Sequence, residues 1–563
     1  MWEIRMTAEI SRDRMDADVI VIGGGVNGTG VARDAALRGL RVALFERNDV
    51  AFGASGNSSG MIHGGPRYLT YDPDVTYTSC LDSGHIQRVA PHLLFRIPFL
   101  MPVQKHFGSK VELFAIDAFF DLYDRYQPLK RGKSHVLLGP DDVRTLEPGI
   151  TCELEGGVSF DEWGIDGARL CIANAVDAHE HGAEIRTHCT VTELVRDESG
   201  RVTGVRFRDR ITGETGARSA SVVVNATGAW APLTTALGGF SSPAARVRPG
   251  KGVHVYFDRR LTNYAIGCRA IDGRQVFMEP WQNMTVLGTT DDDYYGDLDD
   301  CVATTDEVRY LVQAVERIFP AVRSARAIGT WAGVRPTIYE WGPNEDELSR
   351  DHRVVDHEAD GASGLYSLIG GKLASYRLFS EEATDVVAAR LGRSQKSTTH
   401  TSPLPGGEKE LDPLLFAKAH HLEPMAASRL VYRHGTRAAR VMERVRKAPA
   451  EGATVCSCEP VIEAEIRYSV DCEWARSVDD VARRTRLGLG ACGGMRCAAR
   501  CGAIVAEMTE RSPEEGRGLA LAFLDGARRR RAPAVGPVQA RQEALALASV
   551  RAALGTNAAA GQR

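Results

Sequence analysis

The chain has 563 residues, too many for one compact core, so two or three domains are expected. Its 69 Lys and Arg nearly balance 73 Asp and Glu, leaving a net charge of -4. The mixed signs exclude a basic field for nucleic acid, and the lack of an apolar run of about 18 residues excludes a membrane-spanning helix. Met1 to Asp16 hold no signal core, so a cytoplasmic protein is expected.

Val19 to Ile22 is short and β-branched, the pattern of a buried strand. Gly23, Gly25 and Gly28 follow in the spacing of a dinucleotide loop: one for the turn, one for backbone approach to a pyrophosphate, one for close helix packing. A helix over Asn27 to Arg38 aims its N–H groups at the phosphates. A second strand, Val42 to Phe45, ends at Glu46, whose carboxylate can accept ribose hydroxyls. An adenine dinucleotide is expected, and the loop alone does not choose between FAD and NAD.

Ala51 to Tyr68 is rich in small residues, with Ser58, Ser59, His63 and Arg67 interleaved, and can lie against a cofactor. A helix follows over Val75 to Val89, and Asp166 caps another that runs to His181. Ala220 to Asn225 is a second buried strand, ending in Ala226, Thr227 and Gly228. Val253, Val255 and Phe257 alternate with His254. Gly288 to Asp293 is an acidic loop, Thr305 to Phe319 an amphipathic helix, and Thr330 to Thr337 a strand edge with Arg335. Leu365 to Lys372 repeats the buried strand and glycine turn, with Gly370 and Gly371. Gln395 to Glu408 is polar and Pro/Gly-rich, a linker. Helices run on to Arg446. Gln542 to Leu554 is an alanine-rich helix, and Thr556 to Arg563 is expected to be disordered.

The assembled stretches resemble the FAD-dependent glycerol-3-phosphate dehydrogenase family over roughly residues 17 to 508. They are Ile22 to Gly28, Ser59 to Leu69, Gly252 to His254, Gly288 to Tyr294, Gly333 to Pro336 and Gly370 to Arg377. Pro66 and Gly60 depart from the family pattern. The resemblance implies an α/β fold: a Rossmann-like FAD-binding domain of the glutathione-reductase and D-amino-acid-oxidase type, with a mainly antiparallel substrate domain inserted. Residues 17–90, 150–240 and 345–395 are assigned to the FAD-binding domain. Residues 91–149 and 241–344 are assigned to the substrate domain, 396–450 to a helical domain, 451–510 to a cysteine domain and 511–563 to a tail. Glu46, Ser58, Ser59, Gly64, Gly65, Thr227, Gly228, Gly370 and Gly371 join the loop glycines as cofactor residues. Arg67, Tyr68, His254, Arg335, Arg350 and Lys372 would line a pocket for a small phosphorylated polyol.

The implied reaction oxidises sn-glycerol 3-phosphate to dihydroxyacetone phosphate, with hydride passing to FAD. Arginines and a lysine hold the phosphate and oppose developing charge. His254, Lys372 and Arg335 are the catalytic candidates, and His254 or Lys372 takes the hydroxyl proton. A glycerol-3-phosphate oxidase using oxygen, or another FAD-dependent oxidoreductase of hydroxy or amino substrates, remains open.

Six of the twelve cysteines crowd one late region. Cys456-Ser-Cys458 and Cys492 to Cys497 offer four thiolates for zinc or a [2Fe–2S] cluster. The pattern resembles the small ferredoxin-like domain of bacterioferritin-associated type, found at the end of the catalytic subunit of anaerobic glycerol-3-phosphate dehydrogenases. That implies [2Fe–2S] and electron transfer to a quinone or to partner subunits, with peripheral contact at the inner face of the cell membrane. Cys501 is read as a spare, Cys472 as structural, and a homo-oligomer is left open.

Overall fold

The structure, a computed structural model, describes residues 15–70, 72–344 and 348–555. The expectations for the first fourteen residues and for Thr556 to Arg563 fall outside them.

The chain opens with β1 (Ala17–Ile22), α1 (Val26–Leu37) and β2 (Val42–Phe45). Then come α2 (Pro73–Val89), β3 (Leu94–Gln104), α3 (Ser109–Tyr123), β4 (Val136–Leu138), α4 (Pro140–Leu146) and β5 (Leu154–Ile165). Next are α5 (Gly167–Glu180), β6 (Glu184–Arg186), β7 (Cys189–Arg196), β8 (Val202–Asp209), β9 (Thr215–Asn225) and α6 (Ala231–Ala236). A run of strands follows: β10 (Val247–Phe257), β11 (Ala265–Arg269), β12 (Gln275–Trp281), β13 (Met284–Gly288) and β14 (Asp292–Asp293). After α7 (Thr305–Glu316) come β15 (Ala327–Ile338), β16 (His352–Asp356), β17 (Leu365–Gly370) and α8 (Tyr376–Arg390).

The first sheet has the order β16-β17-β9-β1-β2-β6, and the β7–β8 hairpin joins through β9. β17, β9, β1, β2 and β6 are parallel. Their buried β-branched residues pack against α1, where Val31, Ala32 and Ala35 meet Val19, Val21, Val222 and Phe379. Each large apolar side chain buried this way contributes on the order of 1.5–3 kcal/mol. Asp166 caps α5 by accepting from the N–H groups of Ala168 and Arg169, both at 3.0 Å. The second sheet has the order β14-β10-β13-β12-β11-β3-β5-β4, with β15 along the free side of β10. All its pairings are antiparallel except β11 with β3. Its core packs against α7, whose Val308, Leu311 and Val315 sit one helical turn apart on one face.

Four sequence expectations need correction. β5 pairs with β3 along its whole length and with β4, so Leu154–Ile165 belongs to the second sheet although 150–240 was set with the first. Partners more than fifty residues apart decide this. Gln395 to Glu408 is no free linker. Leu404 is buried and its N–H donates to the Val89 carbonyl at 2.8 Å, while Arg33 donates to the Ser402 carbonyl at 2.7 Å. Of the expected tail, Pro513–Arg531 is instead a helix that packs Ala520, Phe523 and Leu524 into a core with Ile504 and Val505.

The fourth correction concerns the C-terminal pieces. α9 (Pro413–His420), α10 (Pro424–His434) and α11 (Ala438–Lys447) precede the β18–β19 hairpin (Thr454–Cys456, Val461–Ile462), then α12 (Glu463–Glu473), α13 (Val478–Thr485) and α14 (Ala498–Met508). α15 is Pro513–Arg531 and α16 is Pro537–Ala553. α12 gives Ala464 and Tyr468 to the core of α9–α11, and Ile466 and Val470 to the core around the cysteines. No boundary at 450 divides two cores that share a helix. This unit is fastened to the first sheet by Arg484, which makes a bidentate pair with Asp49 at 2.6 and 2.8 Å, both side chains fully buried.

Candidate active site

A cavity of about 1100 Å³ lies where the glycine turns of the first sheet face the second. The turn after β1 forms its cofactor end. Gly25 caps α1 without a side chain of its own, and among the first helix N–H groups that of Val26 donates to Ser55 Oγ at 3.0 Å. A Cβ on Gly28 would lie 2.0 Å from the Gly23 carbonyl oxygen, so only glycine permits this close turn. Glu46 receives the Gly24 and Asn48 N–H groups, one on each oxygen at 2.7 Å. These bonds hold the carboxylate at the end of β2, facing the cavity. Gly23, Gly25, Glu46, Ser58, Ser59, Gly65, Thr227, Gly228, Gly370 and Gly371 all line the cavity. Gly28 and Gly64 do not line it; a Cβ on Gly28 would collide with the lining residue Gly23, and one on Gly64 with Cys80 and Tyr123.

An extended dinucleotide fits these residues. The helix start suits a pyrophosphate, the anchored carboxylate keeps lone pairs for ribose hydroxyls, and the cavity continues past Ser58 and Ser59 to a second, strongly basic end.

At that end Arg335 on β15 donates to Asp291 at 2.8 Å and to Thr289 Oγ1 at 3.1 Å. Arg350 reaches the other Asp291 oxygen at 2.5 Å and Thr337 Oγ1 at 2.7 Å. Burial alone would raise the Asp291 pKa, but Arg335 and Arg350 hold it below the ordinary carboxylate value. Arg67 and Tyr68 come from the short 3₁₀ turn Pro66–Thr70, which starts at the unusual proline. Arg67 donates to the Tyr68 hydroxyl at 3.3 Å, and Lys372 Nζ lies 4.6 Å from the Tyr68 ring centre. Tyr68 falls to about 8: burial opposes ionisation, and Arg67, Arg350 and Lys372 outweigh it. Burial lowers the Lys372 pKa, and its Nζ has no hydrogen-bond partner among the described residues. Gly252 is required because its Cβ would lie 2.5 Å from Arg335 Nη2.

His254 on β10 lines the same space, and neither ring nitrogen has a partner among the described residues. Burial, reinforced by Arg335, drives its pKa down to about 3, so the ring is neutral and can accept a proton. All six expected substrate residues border this cavity.

Three cavity residues were not assigned roles from sequence. His63 is half-buried beside Lys372, Lys130 and Arg67; desolvation first, then those charges, push its pKa well down and favour the neutral ring. Asp291 was read only as part of an acidic loop. In fact Asp292 turns to Arg274 at 2.7 Å and Asp293 to Arg248 at 2.9 Å, leaving Asp291 alone toward the cavity. Glu279 on β12 is also in the lining. Its signal was an acid in register with Phe277 and Trp281 on an otherwise apolar strand.

The cysteines stand apart from this cavity. Cys458 and Cys492 approach to 3.8 Å between sulfurs, and Cys456 and Cys497 lie within hydrogen-bonding reach of each other. Cys501 is buried in the core with Phe523 and Leu524.

Comparison with known proteins fits this architecture. The FAD dependent oxidoreductase family matches residues 18–377, and the C-terminal domain of alpha-glycerophosphate oxidase matches 397–515. The second match runs through the division expected at 450. The chain therefore belongs to the FAD dependent oxidoreductases. The matching subunit of the anaerobic glycerol-3-phosphate dehydrogenase of Escherichia coli K12 is 35% identical over 499 residues, covering 88% of this chain and 89% of that one. A glycerol-3-phosphate dehydrogenase of Synechocystis is 34% identical over 489 residues, 83% of this chain and 88% of that one. The X-ray structure of the Bacillus halodurans glycerol-3-phosphate dehydrogenase complexed with FAD superposes with a TM-score of 0.73. It is 26% identical and covers 94% of this chain and 97% of that one. Within the wider family, this chain is a member of the FAD-dependent glycerol-3-phosphate dehydrogenases.

Proposed function

We propose that the protein oxidises sn-glycerol 3-phosphate to dihydroxyacetone phosphate. The observation that carries this is Arg67, Arg335 and Arg350 gathered around one carboxylate, Asp291, with Lys372 over the neighbouring Tyr68 ring, at the end of a dinucleotide cavity. The excess positive charge suits a phosphate dianion, and the arginines supply charge-assisted donors. FAD, when bound, supplies a ring nitrogen that takes hydride from carbon. The protein's own part is to hold the phosphate, fix the C2 carbon, and remove the hydroxyl proton. His254 accepts that proton, because its neutral ring is unpartnered and shares the sheet face with Arg335. Lys372, deprived of partners and water, stabilises negative charge that develops on the substrate oxygen.

The four paired cysteines hold a [2Fe–2S] cluster in this reading. Two thiolates on one tetrahedral ion at about 2.3 Å stand about 3.8 Å apart, which supports the Cys458–Cys492 separation as a ligand pair. Such a cluster accepts electrons singly, and a quinone or partner subunits are the onward acceptors. No helix among the described residues is long and apolar enough to cross a membrane. Peripheral contact is supported by Phe107, Val111, Phe114 and Leu122, exposed along α3 and its preceding turn beside Lys105 and Lys110.

Anaerobic addition of sn-glycerol 3-phosphate to FAD-loaded protein tests the reading: the flavin band should bleach. Arg335→Ala should raise KM by about 2–4 kcal/mol equivalent, the loss of a desolvated charged bond. An unbleached band, or unchanged kcat/KM in the variant, would refute the substrate assignment.

A further inference from the structure

Glu279 is an acid on the His254 face of the cavity wall that the reaction above does not use. Register places it. Trp331, His254, Gly288 and Phe277 form one cross-strand row of the second sheet. Gly329, Tyr256, Val286 and Glu279 form the next row on the same face. Trp281, two residues further, closes the face where the C-terminal unit abuts it; Arg486 of that unit lies 4.3 Å from the Trp281 ring centre.

Glu279 is 2% exposed, lines the cavity, and neither carboxyl oxygen has a hydrogen-bond partner among the described residues. The same is true of both His254 nitrogens and of the Trp281 and Trp331 indole N–H groups. The Arg486 Nη1 and Nη2 atoms beyond them are likewise buried and unpaired. A buried carboxyl left unpaired is costly, so the site calls for a partner. Groups of this density suit bridging water, each molecule needing two to four polar partners. Tyr256 stacks on Trp331 at 5.1 Å and Trp281 meets it edge-on at 5.4 Å, so aromatic rings wall this strip.

We propose that Glu279 is the relay residue that receives the substrate's hydroxyl proton from His254 and passes it out of the cavity. This rests on the alcohol-oxidation reading. As the carbonyl forms, the C–H bond breaks and its electron pair leaves as hydride to the flavin. The O–H bond breaks, and its proton goes to a His254 nitrogen. From there it moves through bridging water to the Glu279 carboxylate, and then to solvent through the cavity that Glu279 lines. Affinity orders the transfer. Burial with no cation near enough to offset it pushes the Glu279 pKa up to about 8, whereas His254 lies at about 3. The ring can hold the proton only in passing; the carboxylate can keep it. The ionised carboxylate is the receiving form, and its share grows as the pH rises through about 8.

Two variants and two readouts test this. Glu279→Gln keeps the shape and removes the exchangeable acid. With saturating substrate above a pH of about 8, where the unsubstituted carboxyl is ionised, its flavin should bleach roughly 10–100-fold more slowly, with the half-saturating substrate concentration unchanged. Glu279→Ala should be slowed alike and be partly restored by formate, which can replace the lost carboxylate. Infrared spectra of the protein without substrate, at neutral pH, should show the carbonyl band of a protonated buried carboxyl, missing in Glu279→Gln. A Glu279→Gln rate within twofold of the unsubstituted protein would overturn the proposal. So would a raised half-saturation with unchanged maximal rate, or no formate effect in a variant that keeps its FAD and Tm. Should the unsubstituted protein fail to bleach, the substrate reading fails instead, and the infrared band still reports whether Glu279 is protonated.

Discussion

The flavin cavity and the cysteine region are built on opposite terms. The cavity is assembled from strand ends and glycine turns, and its charged groups face inward, held by other elements: Asp291 by two arginines, Glu46 by two backbone N–H groups. The cysteine region has short elements, and its thiols lie in or beside the small core that they help to form. There, ligand positions and fold are the same residues. A change at the cavity should therefore remove a function and spare the fold, while a change in the C-terminal unit should trade directly in stability.

The sharpest test of the first half is Gly28→Val. Its Cβ would stand 2.0 Å from the Gly23 carbonyl, and a backbone atom cannot swing aside as a side chain can. The dinucleotide turn must open. Protein purified from this variant should lack the visible flavin band altogether. If it retains stoichiometric FAD, the turn is not the cofactor cradle.

The C-terminal unit should instead show its coupling in acid. Glu465 on α12 is gripped by Arg433 at 2.6 and 2.8 Å and by His434 at 2.9 Å, both from α10. Burial would raise its pKa, but Arg433, aided by the His434 hydrogen bond, holds it at about 2 against an ordinary 4.5. A depressed carboxylate stabilises the fold above its ordinary value and loses that contribution as the pH falls from 4.5 toward 2. The contribution is on the order of 3 kcal/mol. Thermal unfolding followed between pH 6 and about pH 3 should show a falling Tm, and Glu465→Gln should start lower and fall less. Equal slopes would mean that the two C-terminal cores are not joined through this pair.

What the sequence disclosed follows the same division. The turn at Gly23 to Gly28, the carboxylate at Glu46 and the pocket arginines are local signals, each carried by a few adjacent residues with one dominant physical reason. Membership of a sheet is not local. β5 was misassigned because two helices and a strand separate it in sequence from its partner β3. Asp291 was hidden because three consecutive acids look like one solvated loop, although strand geometry sends them to three different arginine groups. α15 was hidden for a related reason. The stretch was assigned whole to a tail, although Ala520, Phe523, Leu524 and Ala527 have the spacing of a buried face.

The smallest effect separates ligand from filler among the cysteines themselves. Cys501 follows Cys497 by one helical turn, so spacing alone cannot tell which of them is a ligand. The structure puts the Cys501 thiol at 0% exposure among Ile504, Val505, Phe523 and Leu524. Cys497 instead faces Cys456. A thiol buried in such a core behaves as a small apolar group, so Cys501→Ala should cost only about 1 kcal/mol and leave iron content unchanged. Cys492→Ala removes one member of the 3.8 Å pair and should lower iron content at once. Equal iron in both variants would dismiss the four-cysteine site, and equal loss would bring Cys501 into it.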